Sequence, residues 1–304
     1  MWLERSELAV PASNWRMIEK GVASISDVIF LDLEDSVAPE AKAPARANVI
    51  RALTELDWGT KPRVFRMNAL DTPFFYRDLI EIVEATAGQI DFILLPKVNR
   101  PEDVYVVDTL LTQIEASCGA SRPIGLELLI ETAEGLINCE RIASASSRVE
   151  ALIFGPGDYT ASLRIPSVSI GTPDEWDAAY PGHRFHYPLH RILVAGRAAG
   201  VRVIDGPFAD FRDAEGFRAA CRVARALGYD GKMCIHPAQL EIANEVFAPD
   251  AQEIAWAARV VHEYEHATAE GRGSISIDNQ MVDVASIKMA RNTLDAARAA
   301  GLIE

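Results

Sequence analysis

Asp27 to Ser36 reads DVIFLDLEDS, an apolar, partly β-branched run that ends abruptly in carboxylates. A run this short, closed by polar residues, predicts a buried strand. The stretch from Ala43 to Leu56 carries Arg46, Val49, Ile50 and Leu53 at helical spacing, the pattern of a helix packed on a sheet. The same unit recurs along the chain. SELAVPAS (6–13), PRVFRMNA (62–69), DFILLPKV (91–98), IGLELLIET (124–132), ALIFGPGD (151–158), VRVIDGPF (201–208) and GKMCIHP (231–237) are apolar runs of the same kind. Between them lie helical candidates at 75–87, 102–116, 133–145, 187–199 and 214–228. Strand then helix, eight times over at intervals of roughly thirty residues, predicts a closed parallel (β/α)8 barrel. An open doubly wound sheet has the same local pattern, and the count favours closure.

The longest interval separates the sixth and seventh runs. Its segment RIPSVSIGTPDEWDAAYPGHRF (164–185) is rich in glycine, proline and aromatics without helical periodicity, and reads as an ordered loop over the barrel mouth. After the eighth run, helical segments are expected at 237–247 and 250–268, then a glycine-rich joint, EGRGS (270–274), then a last helix at 283–300. This divides the chain into a barrel catalytic domain, 1–236, and a C-terminal helical extension, 237–304. The extension either packs on the barrel wall or forms a lid over an active site, its own or a neighbour's.

At 304 residues and 49% hydrophobic, the chain can bury one large core. Its 44 acidic against 30 basic residues give a net charge of -14, which argues against nucleic acid and anionic membrane as partners. Cys118, Cys139, Cys221 and Cys234 have no CxxC spacing and no accompanying histidine cluster, so free thiols in a reducing cytoplasm are expected. No stretch of 18 apolar residues occurs.

In a parallel barrel the carboxyl ends of the strands converge on one mouth. The second run ends Asp32-Leu33-Glu34-Asp35, the third carries Arg66 and Asn68, the fourth ends in Lys97, the fifth in Glu131, and the sixth in Gly155-Pro156-Gly157-Asp158. Alternation places Asp32 with Glu34, and Arg66 with Asn68, on one face. Several carboxylates in one small volume cannot all stay ionised without a counter-charge. All-oxygen donors without thiol or imidazole at ligand spacing point to a hard cation such as Mg²⁺. Glu131 and Asp158 are the candidate ligands, with Asp32, Glu34 and Asp35 around them. For Asp35, or any single one of these, capping of the next helix is an equally good reading; for the group, the site is the better one. An inward Arg66 is expensive to bury without an anion, and either bridges to a carboxylate or holds a substrate oxygen that becomes negative. Arg16 and Lys20, in a first helix opened by Ser13 or Asn14, are either phosphate contacts or solvated surface charge. His236 before Pro237 is more often a hydrogen-bonded structural group than a catalyst, and His183, His186 and His190 form no HExxH motif.

These strand ends, with ELAVPASNWRMIEK (7–20), VIFLDLEDSVAPEAKAPARANV (28–49), RMNALDTPFFYRDL (66–79), IETAEG (130–135), GPGDYTAS (155–162), DGPFADFRDAEGFRAA (205–220), GKMCIHPAQLEIANEVFAP (231–249) and MVDVASIKMA (281–290), run nearly end to end. Together they resemble the malyl-CoA and β-methylmalyl-CoA lyases of the citrate lyase β-subunit-like superfamily. The resemblance implies a lyase that cleaves such a thioester to glyoxylate and acetyl-CoA or propionyl-CoA. It makes Glu131 and Asp158 ligands of Mg²⁺, or of Mn²⁺ in its place, and has Arg66 contact the thioester oxygen. It gives Asp283 the role of a proton-transferring group carried on the lid into an adjacent subunit of a trimer or hexamer, and it puts CoA near Arg16 and Lys20. A citramalyl-CoA lyase and a malyl-CoA thioesterase are the enzymatic alternatives. A non-catalytic acyl-CoA-binding subunit is the other, against which the intact Arg66, Glu131, Asp158 and Asp283 argue.

Overall fold

A computed structural model of the protein describes residues 2–86, 88–180, 182–269, 271 and 273–304. Eight parallel strands close on themselves in sequence order: β1 (Ser6–Pro11), β2 (Val28–Asp32), β3 (Arg63–Arg66), β4 (Phe92–Leu95), β5 (Gly125–Ile130), β6 (Val149–Phe154), β7 (Arg202–Asp205) and β8 (Gly231–Cys234). Closure is made by β1 against β8, with Ser6 opposite Lys232 and Leu8 opposite Cys234. The helices between successive strands are α1 (Trp15–Val22), α2 (Lys42–Glu55), α3 (Phe75–Thr86), α4 (Pro101–Cys118), α5 (Ala133–Ala143), the short α6 (Pro156–Ser162) and α7 (Glu175–Ala179), α8 (His186–Ala199) and α9 (Ala214–Leu227). The expected helices fall on these to within two residues, the usual slack at a fraying end. Position 87, expected to close the third helix, lies outside the described residues.

The strands have apolar residues on both faces because helices cover one and the barrel interior fills the other. Val28, Phe30, Val64, Phe92, Leu94, Leu129, Ile153, Ile204 and Met233 form the interior cluster, all buried. Burying one such side chain is worth about 1.5–3 kcal/mol. Because side chains alternate, the next inward residues towards the carboxyl end are Asp32 above Phe30, Arg66 above Val64 and Glu131 above Leu129. The greasy layer thus supports a polar one at the mouth.

The expected ordered loop at 164–185, of which position 181 lies outside the described residues, contains the one-turn helix α7, which sequence periodicity did not predict. Five residues are too few to show a period, and α7 is held instead by ions. Asp174 caps it at the Trp176 amide, and Arg184 bridges Asp177 at 2.8 Å and Asp174 at 3.0 Å. The loop rests on the carboxyl rim, where Ala209 N donates to Ile170 O at 2.9 Å.

Compactness divides the chain into residues 2–244 and 245–304. The first contains the barrel. Helix α10 (Leu240–Val246) follows it in sequence. The second holds α11 (Ala251–Ala269), the two-stranded antiparallel hairpin β9 (Ile275–Ile277) and β10 (Gln280–Val282), and α12 (Val284–Ala299). Ala257, Val260, Ile277, Val282, Ile287, Ala290 and Leu294 make its own core. Asp278 and Asn279 turn the hairpin at φ of 50° and 63°, a left-handed pair that aspartate and asparagine tolerate. Residues 270 and 272 of the expected EGRGS joint lie outside the described residues.

Candidate active site

Six of the predicted mouth residues meet around a seventh, Lys97. Its Nζ donates to Glu34 Oε1 at 2.5 Å and lies 3.5 Å from Asp158 Oδ2 and 3.8 Å from Asp35 Oδ1. Its backbone N–H donates to Glu131 Oε1 at 2.7 Å. To do this Lys97 adopts φ of 51°, a left-handed conformation that costs of order 1 kcal/mol for a residue with a Cβ and is kept where surrounding structure demands it. Beside it Arg66 grips Asp32 with both arms, Nε to Oδ1 at 2.7 Å and Nη2 to Oδ2 at 2.8 Å, and its Nη1 lies 3.1 Å from Glu34 Oε2. Arg66 therefore bridges carboxylates; with five N–H donors it keeps others for a further oxygen.

Asp32 also accepts from the amides of Glu34 at 2.8 Å and Ser36 at 3.1 Å. Burial opposes its charge, but the Arg66 guanidinium and these hydrogen bonds prevail and hold its carboxyl at about 2. Glu131 goes the other way. Burial, then the neighbouring charges of Glu34 and Asp158, push its carboxyl up to about 8 despite Lys97 and Arg66. Burial likewise raises Glu34, against the pull of Arg66. The mouth is thus an acid cluster with less positive charge than it can use.

Three observations fit this cluster to a hard cation. Glu34 Oε2 is buried and accepts no hydrogen bond, its one close cation being the Arg66 Nη1 at 3.1 Å. The donors available are all carboxylate oxygens, with the Lys97 ammonium as the cation among them. Glycine at 155 leaves Glu131 its space: a Cβ there would collide with Cβ and Oε2 of Glu131 and sit 3.1 Å from its Cδ. Thr132 caps α5 by accepting from Gly135 N at 2.9 Å, which fixes the chain just beyond Glu131, and Asp158 stands in the first turn of α6.

Arg16 and Lys20 lie exposed on α1, whose N-terminus is capped by Asn14, and neither bonds to any described residue. Asp283, in the second unit, caps α12: its Oδ1 accepts from Ala285 N at 2.9 Å and Ser286 N at 3.1 Å. The Ser286 amide bond, aided by the others, holds its carboxyl below the ordinary range. His236 caps the turn after β8 through Nδ1 and stacks on Phe211 at 4.5 Å between ring centres. Sequence reasoning noted Lys97 but not its position as the hub. It also missed the support under Asn68, whose amide groups bond Asp78, itself paired with Arg46 at 2.8 Å. Arg46 at a core-facing position of α2 was the available signal.

Residues 5–237 match the family model described as HpcH/HpaI aldolase/citrate lyase. The chain is 42% identical over 292 residues to an L-malyl-CoA/β-methylmalyl-CoA lyase of Cereibacter sphaeroides, covering 94% of this chain and 92% of the relative. It is 38% identical to a (3S)-malyl-CoA thioesterase of Cereibacter sphaeroides, covering 97% and 95%. Among solved structures, protein CitE of Mycobacterium tuberculosis in complex with magnesium, acetoacetate and coenzyme A superposes with a TM-score of 0.77 at 29% identity, covering 98% of each chain.

Proposed function

The chain belongs to the HpcH/HpaI aldolase/citrate lyase family, and from that premise we propose that it is a Mg²⁺-dependent carbon–carbon lyase. Its substrate would be malyl-CoA or β-methylmalyl-CoA, split to glyoxylate and acetyl-CoA or propionyl-CoA. The observation that carries this is the under-neutralised acid cluster around Lys97, with Glu131 raised to about 8 and kept clear by Gly155. Glu131 and Asp158 would hold Mg²⁺, or Mn²⁺, which when bound supplies Lewis-acid polarisation of the substrate's hydroxyl or carbonyl oxygen.

The chain's own groups do the rest. Asp32 and Glu34 fix the Arg66 guanidinium, so that its remaining N–H groups meet a thioester oxygen without reorganising, the kind of preorganised donor worth about 3 kcal/mol of barrier. Breaking the bond between the hydroxyl-bearing carbon and the α-carbon frees one hydroxyl proton and requires one proton on the α-carbon. The Asp283 carboxyl, entering from a neighbouring subunit of a homo-oligomer, carries the proton at carbon. Its low pKa suits removal of that proton in the condensation direction and requires release of its α12 cap for delivery in cleavage. Exposed Arg16 and Lys20 offer positive charge to the CoA phosphates.

The thioesterase relative favours a second reading, in which water attacks the acyl carbon and malate and free CoA are released. Incubation with malyl-CoA, β-methylmalyl-CoA and citramalyl-CoA, with the keto acid trapped and thiol titrated, separates the two. Glyoxylate without thiol supports the lyase; thiol without keto acid overturns it.

A further inference from the structure

A second acidic cluster lies at the opposite end of the barrel interior. Glu127 stands on β5 four residues before Glu131, so strand alternation puts both in one inward column with Leu129 between them. At the floor it meets Glu7 of β1, Arg202 of β7 and Glu4 of the segment that leads into β1, all four buried. Arg202 reaches Glu4 at 3.0 Å and Glu127 at 3.1 Å. Glu7 is the unexplained member: neither of its carboxylate oxygens has a hydrogen-bond partner, though the side chain is fully buried and directed at the other two acids. One oxygen from each of Glu4, Glu7 and Glu127 lies within 4.8 Å of the others.

Three carboxylates against one guanidinium leave two negative charges in a space without water-facing surface. Protonation alone serves the Glu4–Glu127 pair, which are near enough to share a hydrogen bond, but a proton on Glu7 finds no acceptor. Three carboxylate oxygens within 4.8 Å of one another suit a coordination sphere, since an ion of Ca²⁺ size bonded at about 2.3–2.6 Å keeps its ligand oxygens no more than about 4.6–5.2 Å apart. The floor is also built to close. Trp2 packs edge-on against Phe92 at 6.1 Å, and Arg202 lies over the same ring at 5.1 Å. Gly231 admits the Glu4 backbone, which any Cβ at that position would strike.

We propose that Glu4, Glu7 and Glu127 form a structural site for a hard divalent cation of calcium or manganese size, enclosed when the N-terminal segment docks on the barrel floor. The site is separate from the mouth and stands whether or not the lyase reading does.

The test uses the full chain carrying Glu131→Gln and Asp158→Asn, which removes the mouth ligands. The protein is unfolded, stripped with chelator, refolded with Mn²⁺ or Ca²⁺, desalted and analysed for metal. About one ion per chain is expected to remain, and adding Glu7→Gln should abolish it. Metal-free protein, or retention unaffected by Glu7→Gln, overturns the proposal and leaves protons as the counter-charge. Should the triple variant not fold, crystals of the unsubstituted protein grown with Mn²⁺ decide: an anomalous peak among the three carboxylates supports the site, and a featureless floor overturns it.

Discussion

Gly155→Ala isolates the placement of Glu131 from its chemistry. Gly155 has φ of -101°, outside the left-handed region that demands glycine, so the methyl group acts chiefly through what it touches. Its three nearest contacts are all to Glu131: the built Cβ collides with Cβ and Oε2 and sits 3.1 Å from Cδ, where carbon atoms prefer about 3.5–4.0 Å. Clearing the worst of these contacts requires a shift of about 1 Å. Glu131 cannot move without loosening the bond from Lys97 N at 2.7 Å, which holds its other oxygen. Overpacking of this kind costs about 1–3 kcal/mol of stability. A displacement of about 1 Å in a positioned group costs about 100-fold in rate. Steady-state assays of malyl-CoA cleavage across a Mg²⁺ titration should show kcat/KM about 100-fold lower, with half-saturation moved to higher Mg²⁺. Unaltered Mg²⁺ dependence in a folded variant would refute the assignment of Glu131 as the residue that Gly155 makes room for.

Arg66→Lys keeps the charge but loses the two-armed grip on Asp32, so kcat should fall about 100- to 1,000-fold with little change in KM, measured under saturating Mg²⁺. Glu131, pushed up to about 8 by burial, favours the folded state while protonated, and that contribution is lost as pH rises from the ordinary carboxylate range through about 8. Chelator-treated protein should therefore lose thermal stability across that window. Mg²⁺ affinity measured by calorimetry should rise up to about tenfold per pH unit until about 8, and a flat profile would contradict the shift. Arg46→Met strands the buried Asp78 carboxylate beneath Asn68 and should cost about 3–5 kcal/mol in chemical denaturation.

The barrel and its acid mouth were legible because both are local. Period-two alternation fixes that Asp32, Arg66 and Glu131 follow Phe30, Val64 and Leu129 inward, and the eightfold repeat supplies the closure. Asp158 was legible as the residue after a strand and a glycine-proline turn. What escaped depends on backbone or on distant partners. Nothing in LLPKV announces that Lys97 takes a left-handed φ to turn its amide onto Glu131. The ion-clamped α7 is shorter than any period. The floor cluster joins Glu4 to Arg202 from opposite ends of the barrel sequence, a pairing only the closed sheet creates. Asp283 opens the last expected helix and caps it; a role at a neighbouring mouth came from the resemblance alone and would depend on an assembly.

The central claim is that Glu131 and Asp158 together hold the metal on which cleavage depends. Calorimetric titration of Mg²⁺ into the protein with glyoxylate present, compared with Glu131→Gln and Asp158→Asn, tests it most directly. Either substitution should weaken binding at least about tenfold, the size of effect expected for removing a metal-site interaction. Wild-type Mg²⁺ affinity in both folded variants would contradict it.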